Sequence, residues 1–415
     1  MPSEPGDAGN PFQFLLGDLM KMFSTNAPDQ WEMTRAFGLQ VATDGTAEPN
    51  VEPIERIRLE ELARVAELHV IEATGMPVSS DGRRITCVPT GRGDWTVRAL
   101  EAWRPVLSAM APSPQAPPEP AVEPSGDPLG GDPTAGFGEL IGKLSVALGP
   151  ALFGMQLGSV VGHLSHRALG QYVLAIPWAP ADELLIVTAN VSAFADDWSI
   201  PQEEALLWVC ARELATHAVL SRPEIRARME ELLEALAASA SATQQGLAER
   251  LGGLGGLGDP SAPGMDLESL QGMFGDPEAL LGDLLTPESR RTSDQLTAVA
   301  VVVDAYADHI ADRVGRTLVG SHAQLAEAWY RRRIERGKGE EAAGALFGLD
   351  LEQAQVDRGR AFVAGVVERA GEEGLERLWS SARHLPTPPE VDAPGLWLER
   401  ISLPELDGPD GPAAS

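Results

Sequence analysis

The segment from Trp208 to Leu220 carries the residues whose types and spacing come nearest to a catalytic pattern. Metal-dependent hydrolysis on a helix needs two imidazoles one turn apart, and a glutamate between them that acts as general base on the metal-bound water. This pattern is HExxH. Arg212 and Thr216 occupy its two histidine positions here, and Glu213 keeps the glutamate position. The residues alone therefore predict an amphipathic core helix with one buried carboxylate and no metal site.

A second imidazole lies just outside the pattern. His217 follows Thr216 directly, so it is turned by about 100° around the helix from the position that a ligand would need. Glu213 and His217 are nevertheless spaced i, i+4, and a rotated helix would present them as a pair. This arrangement stays open as an alternative site.

Two other groups of residues have weaker claims to chemistry. His163 and His166 have an i, i+3 spacing that would let them share a metal, but no carboxylate or cysteine is near them in sequence, which favours ordinary polar positions at a helix end. The run Arg331–Arg333 would suit a small anion or a nucleic acid, whereas the strongly acidic composition favours a solvated helix face.

Sequence motifs for nucleotides and for serine hydrolases are weak or missing. Gly253, Gly255 and Gly258 match the spacing GxGxxG, but they follow no predicted strand and lie in a Gly-Leu repeat that is typical of a linker. The sequence contains neither GxxxxGK[ST] nor GxSxG.

The composition excludes several classes of partner. The 415 residues include 61 Asp and Glu against 32 Lys and Arg, a net charge of −29, which opposes binding to nucleic acid or to anionic lipid. Two cysteines allow neither a disulfide framework nor a zinc ribbon. The acidic N-terminus lacks the positive region of a signal peptide, so we expect a cytoplasmic protein.

One uncharged stretch raises the question of a membrane. Residues 144–162 just reach the length of a spanning helix, and Gly154, Gly158 and Gly162 repeat at the spacing that lets two helices approach closely. The stretch also contains Pro150 and Gln156 and lacks flanking basic loops and aromatic belts. We therefore predict a buried helix whose glycines allow tight packing, and no membrane insertion.

The positioning elements are mostly helices. Apolar periodicity predicts helices over 54–76, 97–111, 205–220, 296–316, 323–336 and 355–370, and short strands over 172–177 and 183–189. Dense proline predicts a linker at 112–134. We expect a mainly α protein of the α+β type with a small sheet, divided into a helical N-terminal region 1–111, a main domain 135–401 with a Gly-rich insertion at about 239–288, and an acidic tail 402–415.

Several segments, in order, resemble one family. It is the actinobacterial zincin-like family usually labelled zinc-dependent metalloprotease, some of whose members are labelled as associated with deazaflavin-coenzyme biosynthesis. The resemblance covers nearly all of 136–401. It is carried by Leu169-Gly-Gln-Tyr172, Val187-Thr-Ala-Asn190, Trp208–Leu220, Asp304-Ala-Tyr-Ala-Asp308-His309, Leu346-Phe-Gly-Leu349 and Leu385-Pro-Thr387.

The resemblance implies a zincin-like metallopeptidase fold, in which the HExxH helix packs against a later helix that supplies an acidic ligand. It implies that Glu213 is the general base, that Asp304 is the third zinc ligand and that Asp308 orients a ligand. The departure lies at Arg212 and Thr216. A guanidinium cannot bind a cation, and threonine is a poor ligand for zinc.

These observations lead to three hypotheses. The first is a catalytically inactive family member without a cofactor, in which Arg212 replaces the metal and the cleft binds or regulates a protein or peptide partner. The second is an active metallohydrolase that uses a rearranged site around Glu213, His217 and Asp304. The third is a scaffold whose acidic surface and linkers mediate assembly.

Overall fold

The computed structural model describes residues 30–79, 82–111, 151–253 and 286–403. The helices in chain order are α1 (Gln30–Ala42), α2 (Pro53–Thr74), α3 (Arg92–Met110), α4 (151–165), α5 (Thr188–Asp197), α6 (Gln202–Leu220), α7 (Pro223–Gly253), α8 (Pro287–Leu318), α9 (His322–Ile334), α10 (Lys338–Leu346), α11 (Gln353–Glu376), α12 (Pro388–Val391) and α13 (Pro394–Ser402). The strands are β1 (Thr86–Pro89) and β2 (Glu183–Ile186). The prediction of a mainly helical protein with a small sheet is confirmed.

The described sheet has two parallel strands, with Thr86 opposite Glu183 and Pro89 opposite Ile186. The prediction of a strand over 172–177 is wrong, since only Gly170 forms an isolated bridge, to Ile186. The reason is local, because the N–H of Tyr172 donates to the Glu213 carboxylate instead of to a neighbouring strand. The second strand comes from β1, for which the sequence analysis had no signal.

The central element is α6, which is buried on every side from Leu207 to Leu220. It packs mainly against α2 and α8. The residue pattern predicts an amphipathic helix here, but a helix covered by neighbours on every side belongs to the middle of a core. The charged residues Arg212 and Glu213 are therefore held inside the protein.

The glycine stripe of α4 is a contact surface with α1. An added Cβ at Gly158 would lie 2.4 Å from the carbonyl oxygen of Thr34, and one at Gly162 would lie 2.7 Å from that of Gly38. Only glycine permits this approach of two backbones. Among the described residues no helix has the length and apolar character to span a membrane.

The N-terminal helices share one hydrophobic core with the later elements. Buried side chains of this core come from α2 and α3, such as Leu59 and Trp95, and from α6 and α8. Trp95 also donates its indole N–H to the carbonyl of Gly170 at 2.9 Å. The proline-rich segment 112–134 and residues 404–415 lie outside the described residues. Of the predicted insertion, residues 239–253 continue α7 and 286–288 begin α8, while 254–285 lie outside the described residues.

Candidate functional site

The guanidinium of Arg212 lies between α6 and α8, where it pairs with two carboxylates. Asp304 and Asp308 are spaced i, i+4, so both side chains project from the same face of α8. Arg212 donates from Nη2 to Asp304 Oδ1 at 2.5 Å and from Nε to Asp308 Oδ1 at 2.9 Å. Its own side chain is only 5% exposed. The residue at the first HExxH position therefore bridges the two acidic residues of the later helix.

A second arginine closes this arrangement from the other side. Arg333, at the end of α9, donates from Nη2 to Asp304 Oδ2 at 2.6 Å and from Nη1 to Asp308 Oδ2 at 2.7 Å. Each aspartate thus accepts from both arginines, and the four side chains form a closed ring. We call Arg212, Asp304, Arg333 and Asp308 the arginine–aspartate ring.

Trp329 contacts two residues of the ring. Its indole N–H donates to Asp308 Oδ1 at 3.0 Å, and its face lies 4.7 Å from the guanidinium carbon of Arg212. Cation–π contact of this kind is stronger when the cation is desolvated. The aromatic ring therefore stabilises the buried charge on Arg212 without adding a negative charge.

The charges of the ring compensate one another. Burial alone would raise the pKa of Asp308, but Arg333 and Arg212 outweigh this effect and hold the pKa below its usual range. Burial likewise acts to lower the pKa of Arg212, and the nearby carboxylates of Asp304 and Asp308 reverse the effect and raise it. The ring carries two positive and two negative charges, so its burial leaves no net charge.

Glu213 is a buried carboxylate that lies beside the ring but is not part of it. Its Oε1 lies 3.3 Å from Arg212 Nη1, and its Oε2 accepts from the N–H of Tyr172 at 2.8 Å. Burial raises the pKa of Glu213 to about 7, although Arg212 and the Tyr172 N–H act in the opposite direction. The side chain fits only because residue 170 is glycine, as an added Cβ there would lie 2.4 Å from Glu213 Cδ.

Thr216 and His217 form hydrogen bonds outside the ring. The hydroxyl of Thr216 donates to the carbonyl of Arg212 one turn earlier, at 2.9 Å. His217 Nδ1 is 2.9 Å from the hydroxyl of Tyr172, and His217 lines a different cavity together with Ser221 and Arg226. The structure therefore brings Glu213 close to Arg212 but does not bring His217 to Asp304.

The donor set does not fit a zinc ion. Within the described part of the chain, no group of three histidine, cysteine or acidic residues is arranged to hold a metal. Both aspartates already accept from two guanidiniums each, and a cation placed among them would face the positive charges of Arg212 and Arg333. We therefore assign no chemical step at this site to a metal.

Three residues of the ring, Arg212, Asp304 and Arg333, line a cleft that opens to solvent and has an enclosed volume of about 70 Å³. Arg212, Glu213, Asp304 and Trp329 line it on one side. Arg332 and Arg333 line it too, so the interpretation of Arg331–Arg333 as a solvated face is wrong for these two. These two consecutive arginines at the end of α9 face the cavity, where Arg333 pairs with the buried aspartates, while Arg331 stays exposed and pairs with Glu327.

The two other histidines of the sequence analysis have structural contacts. His163 Nδ1 is 2.8 Å from the carbonyl oxygen of Ser159, one turn earlier in α4. His166 lies between Arg92 and the carbonyl of Val41, at 3.2 and 3.1 Å. The two imidazoles therefore use their ring nitrogens in separate contacts.

The structure adds residues to the site that sequence reasoning missed. Arg333, Trp329, Tyr172 and Gly170 all contact the residues at the HExxH positions or their partners. A charge count would have pointed to one of them, since Arg212 alone cannot compensate Glu213, Asp304 and Asp308 in a buried site. The arginines that follow Trp329 in the sequence were the candidates for the second positive charge that the three carboxylates need.

Comparison with known proteins gives one family and one solved structure. A family model described as zincin-like metallopeptidase matches residues 30–398. A crystal structure from Chloroflexus aurantiacus, described as that of a "putative hydrolase with a novel fold", is similar in fold with a TM-score of 0.60. It is 22% identical and the alignment covers 90% of this chain and 99% of that one. No curated protein matches the chain.

Proposed function

Because the chain belongs to the zincin-like metallopeptidase family, we propose that it is a member in which an arginine has taken the place of the metal and the cleft binds a ligand without hydrolysing it. The observation that carries this proposal is the bidentate position of Arg212, which pairs with both Asp304 and Asp308. By the family resemblance, these are the acidic residues that would support zinc.

The balance of charge at the site supports the proposal. A metal-binding zincin site places a divalent cation next to acidic residues, and the cation compensates their burial. In this chain, the fixed charges of Arg212 and Arg333 provide two positive charges at the same acidic residues. The charges at the site stay balanced, whereas the two HExxH positions provide no imidazole for the Lewis acid that would activate a water molecule.

Glu213 keeps the position of the general base, but its surroundings favour another role. Its Oε2 is engaged by the N–H of Tyr172, and Arg212 lies beside its Oε1. A carboxyl group with a pKa of about 7 exchanges a proton near neutral pH. It therefore suits a hydrogen bond to a ligand in either protonation state.

The rearranged active site is less well supported. It requires the side chains of Glu213, His217 and Asp304 to converge on one metal position. His217, however, is hydrogen-bonded to the Tyr172 hydroxyl and lines another cavity. The scaffold hypothesis makes no use of the ring and predicts that Glu213 can be replaced without a change in partner binding. Partner binding by Glu213 variants would thus separate the scaffold hypothesis from our proposal.

Metal analysis tests the proposal directly. The full chain, purified without chelator and then dialysed against zinc, is measured by mass spectrometry for metal content, and peptide hydrolysis is assayed in parallel. We expect far less than one zinc per chain and no hydrolysis above background. Stoichiometric zinc that is lost in the Asp304→Asn variant would overturn the proposal.

A further inference from the structure

The outer part of the cleft is rich in arginine although the whole chain is acidic. Five arginines line the cavity, against three carboxylates. The chain as a whole has a net charge of −29. Arg212 and Arg333 are compensated within the ring and Arg167 pairs with Glu340, so the charges that remain in the lining are Arg332 and Arg336 against Glu213, an excess that attracts an anion.

Arg167 and Arg332 hold each other in place without an anion between them. Arg332 Nη2 donates to the carbonyl of Arg167 at 2.7 Å, and Arg167 Nη2 donates to the carbonyl of Arg332 at 2.5 Å. Arg167 also pairs with Glu340 at 3.0 Å. Arg332 has no ion pair of its own within the described part of the chain, and four of its five N–H donors have no hydrogen bond there.

Arg336 adds a third guanidinium to this side of the cavity. It is half-buried, and its side chain forms neither a hydrogen bond nor an ion pair with the described residues. Burial and the charge of Arg167 lower the pKa of Arg332 to about 10, and burial lowers that of Arg336. For both residues the effect of burial outweighs the attraction of nearby carboxylates, among them Glu340.

The rest of the cavity wall is apolar. Leu169, Val173, Leu174, Leu351 and Val356 contribute to the lining. An anion with several charges would be repelled by the acidic surface as it approached, whereas a single carboxylate on an apolar group would match both parts of the wall.

We propose that Arg332 and Arg336 bind the carboxylate of a ligand whose neighbouring substituent is apolar and lies against Leu169, Val173 and Leu351. The proposal rests on the proposed function, since it names the ligand class of a cleft that binds without hydrolysis. A planar carboxylate accepts two parallel hydrogen bonds from one guanidinium, which gives the site its geometric preference.

Binding of N-acetyl-leucine to the full chain, measured by calorimetry and thermal unfolding, tests the proposal. Its matched control is N-acetyl-leucinamide, which has the same apolar group but no charge, and inorganic phosphate is the third probe. We expect N-acetyl-leucine to bind and to raise the unfolding temperature, and the amide to bind at least roughly tenfold more weakly.

Variants locate the site. Arg336→Gln removes a guanidinium that has no described bonding partner, so folding should be unaffected, and we expect a loss of affinity of roughly tenfold or more. Arg332→Gln should have a similar effect. Arg331→Gln is the control, because Arg331 is on the same helix but exposed and paired with Glu327 at 2.6 Å, and it should leave affinity unchanged.

Four results would overturn the proposal. These are equal binding of acid and amide, tighter binding of phosphate than of N-acetyl-leucine, an equal loss of affinity in Arg331→Gln and Arg336→Gln, and no binding of N-acetyl-leucine to the folded chain. Each leaves the zinc measurement unaffected, so a failure here is distinguishable from a failure of the metal-free assignment.

Discussion

Arg212 and Asp304 lie 2.5 Å apart, between Nη2 and Oδ1, at the point where α6 meets α8. The pair joins two of the most closely packed helices of the core. Arg212 therefore supplies a positive charge that the two aspartates of α8 require when they are buried.

Removal of Arg212 should destabilise the protein strongly. The Arg212→Met variant leaves Glu213, Asp304 and Asp308 with Arg333 as their main cation, and we expect the free energy of unfolding to fall by about 3–5 kcal/mol. Urea unfolding followed by circular dichroism measures the change. Arg228→Met, at an exposed pair with Glu231, is the control and should cost less than about 1 kcal/mol. Equal effects would show that the ring is energetically unimportant.

Introduction of histidine at both HExxH positions should create a zinc site. The double variant Arg212→His with Thr216→His recreates the spacing of two imidazoles on one face of α6, with Asp304 available as a third ligand. We expect about one zinc per chain in the double variant, because three ligands then face one point. A chelator should lower its unfolding temperature but not that of the wild type. Absence of zinc from a folded double variant would contradict the proposal that α6 and α8 correspond to the metal-binding helices of the family.

The titration of Glu213 predicts a dependence of stability on pH. Its pKa is raised from 4.5 to about 7 in the folded protein, so between these values the folded state holds a proton that the unfolded state has released. Stability should therefore fall as the pH rises from about 4.5 to about 7, by roughly 2–3 kcal/mol from this group, and level off above that range.

The Glu213→Gln variant isolates this contribution. It cannot lose a proton, so its free energy of unfolding should decline less than that of the wild type across the same pH range. The comparison is made by urea unfolding at intervals of pH. Parallel curves for the two proteins would show that Glu213 keeps an ordinary pKa.

The close approach of Gly170 to Glu213 predicts a coupled pair. Gly170→Ala would place a Cβ 2.4 Å from Glu213 Cδ, and we expect a loss of roughly 1–3 kcal/mol in stability. The loss should be much smaller in a Glu213→Ala background, since the clashing atoms are gone, and a double-mutant cycle measures the difference. Gly395→Ala, with its nearest contact at 3.9 Å, is the control. An unchanged loss in the Glu213→Ala background would show that the clash is not with Glu213.

The helices around the site could be predicted from the sequence because their apolar residues repeat over several turns. Residues 205–220 and 296–316 correspond to α6 and α8, and the i, i+4 spacing of Asp304 and Asp308 places them on one face. The burial of α6 on all sides could not be predicted in this way. Periodicity reports the apolar face of a helix, whereas the cover on the opposite face of α6 depends on α2, more than a hundred residues earlier in the chain.

Neither the sheet nor the position of Arg333 in the ring could be predicted from the local sequence. β1 has four residues and is defined by its pairing with Glu183–Ile186. Arg333 belongs to a run of three arginines that looks alike in sequence, and only the packing of α9 on α8 decides which one meets the aspartates. The buried aspartates require a positively charged residue, but tertiary contacts determine which arginine of the run meets them.

The shared core of the early and late helices has a consequence for the continuity of the chain. Thr86–Pro89 pairs with Glu183–Ile186, and α1 lies against the glycines of α4, so the contacts between 30–111 and the later residues do not depend on a covalent link between them. Two separately expressed halves, divided between residues 112 and 150, should reassemble into one particle. We therefore expect residues 30–111 and the later residues to fold as one unit even when no peptide bond joins them.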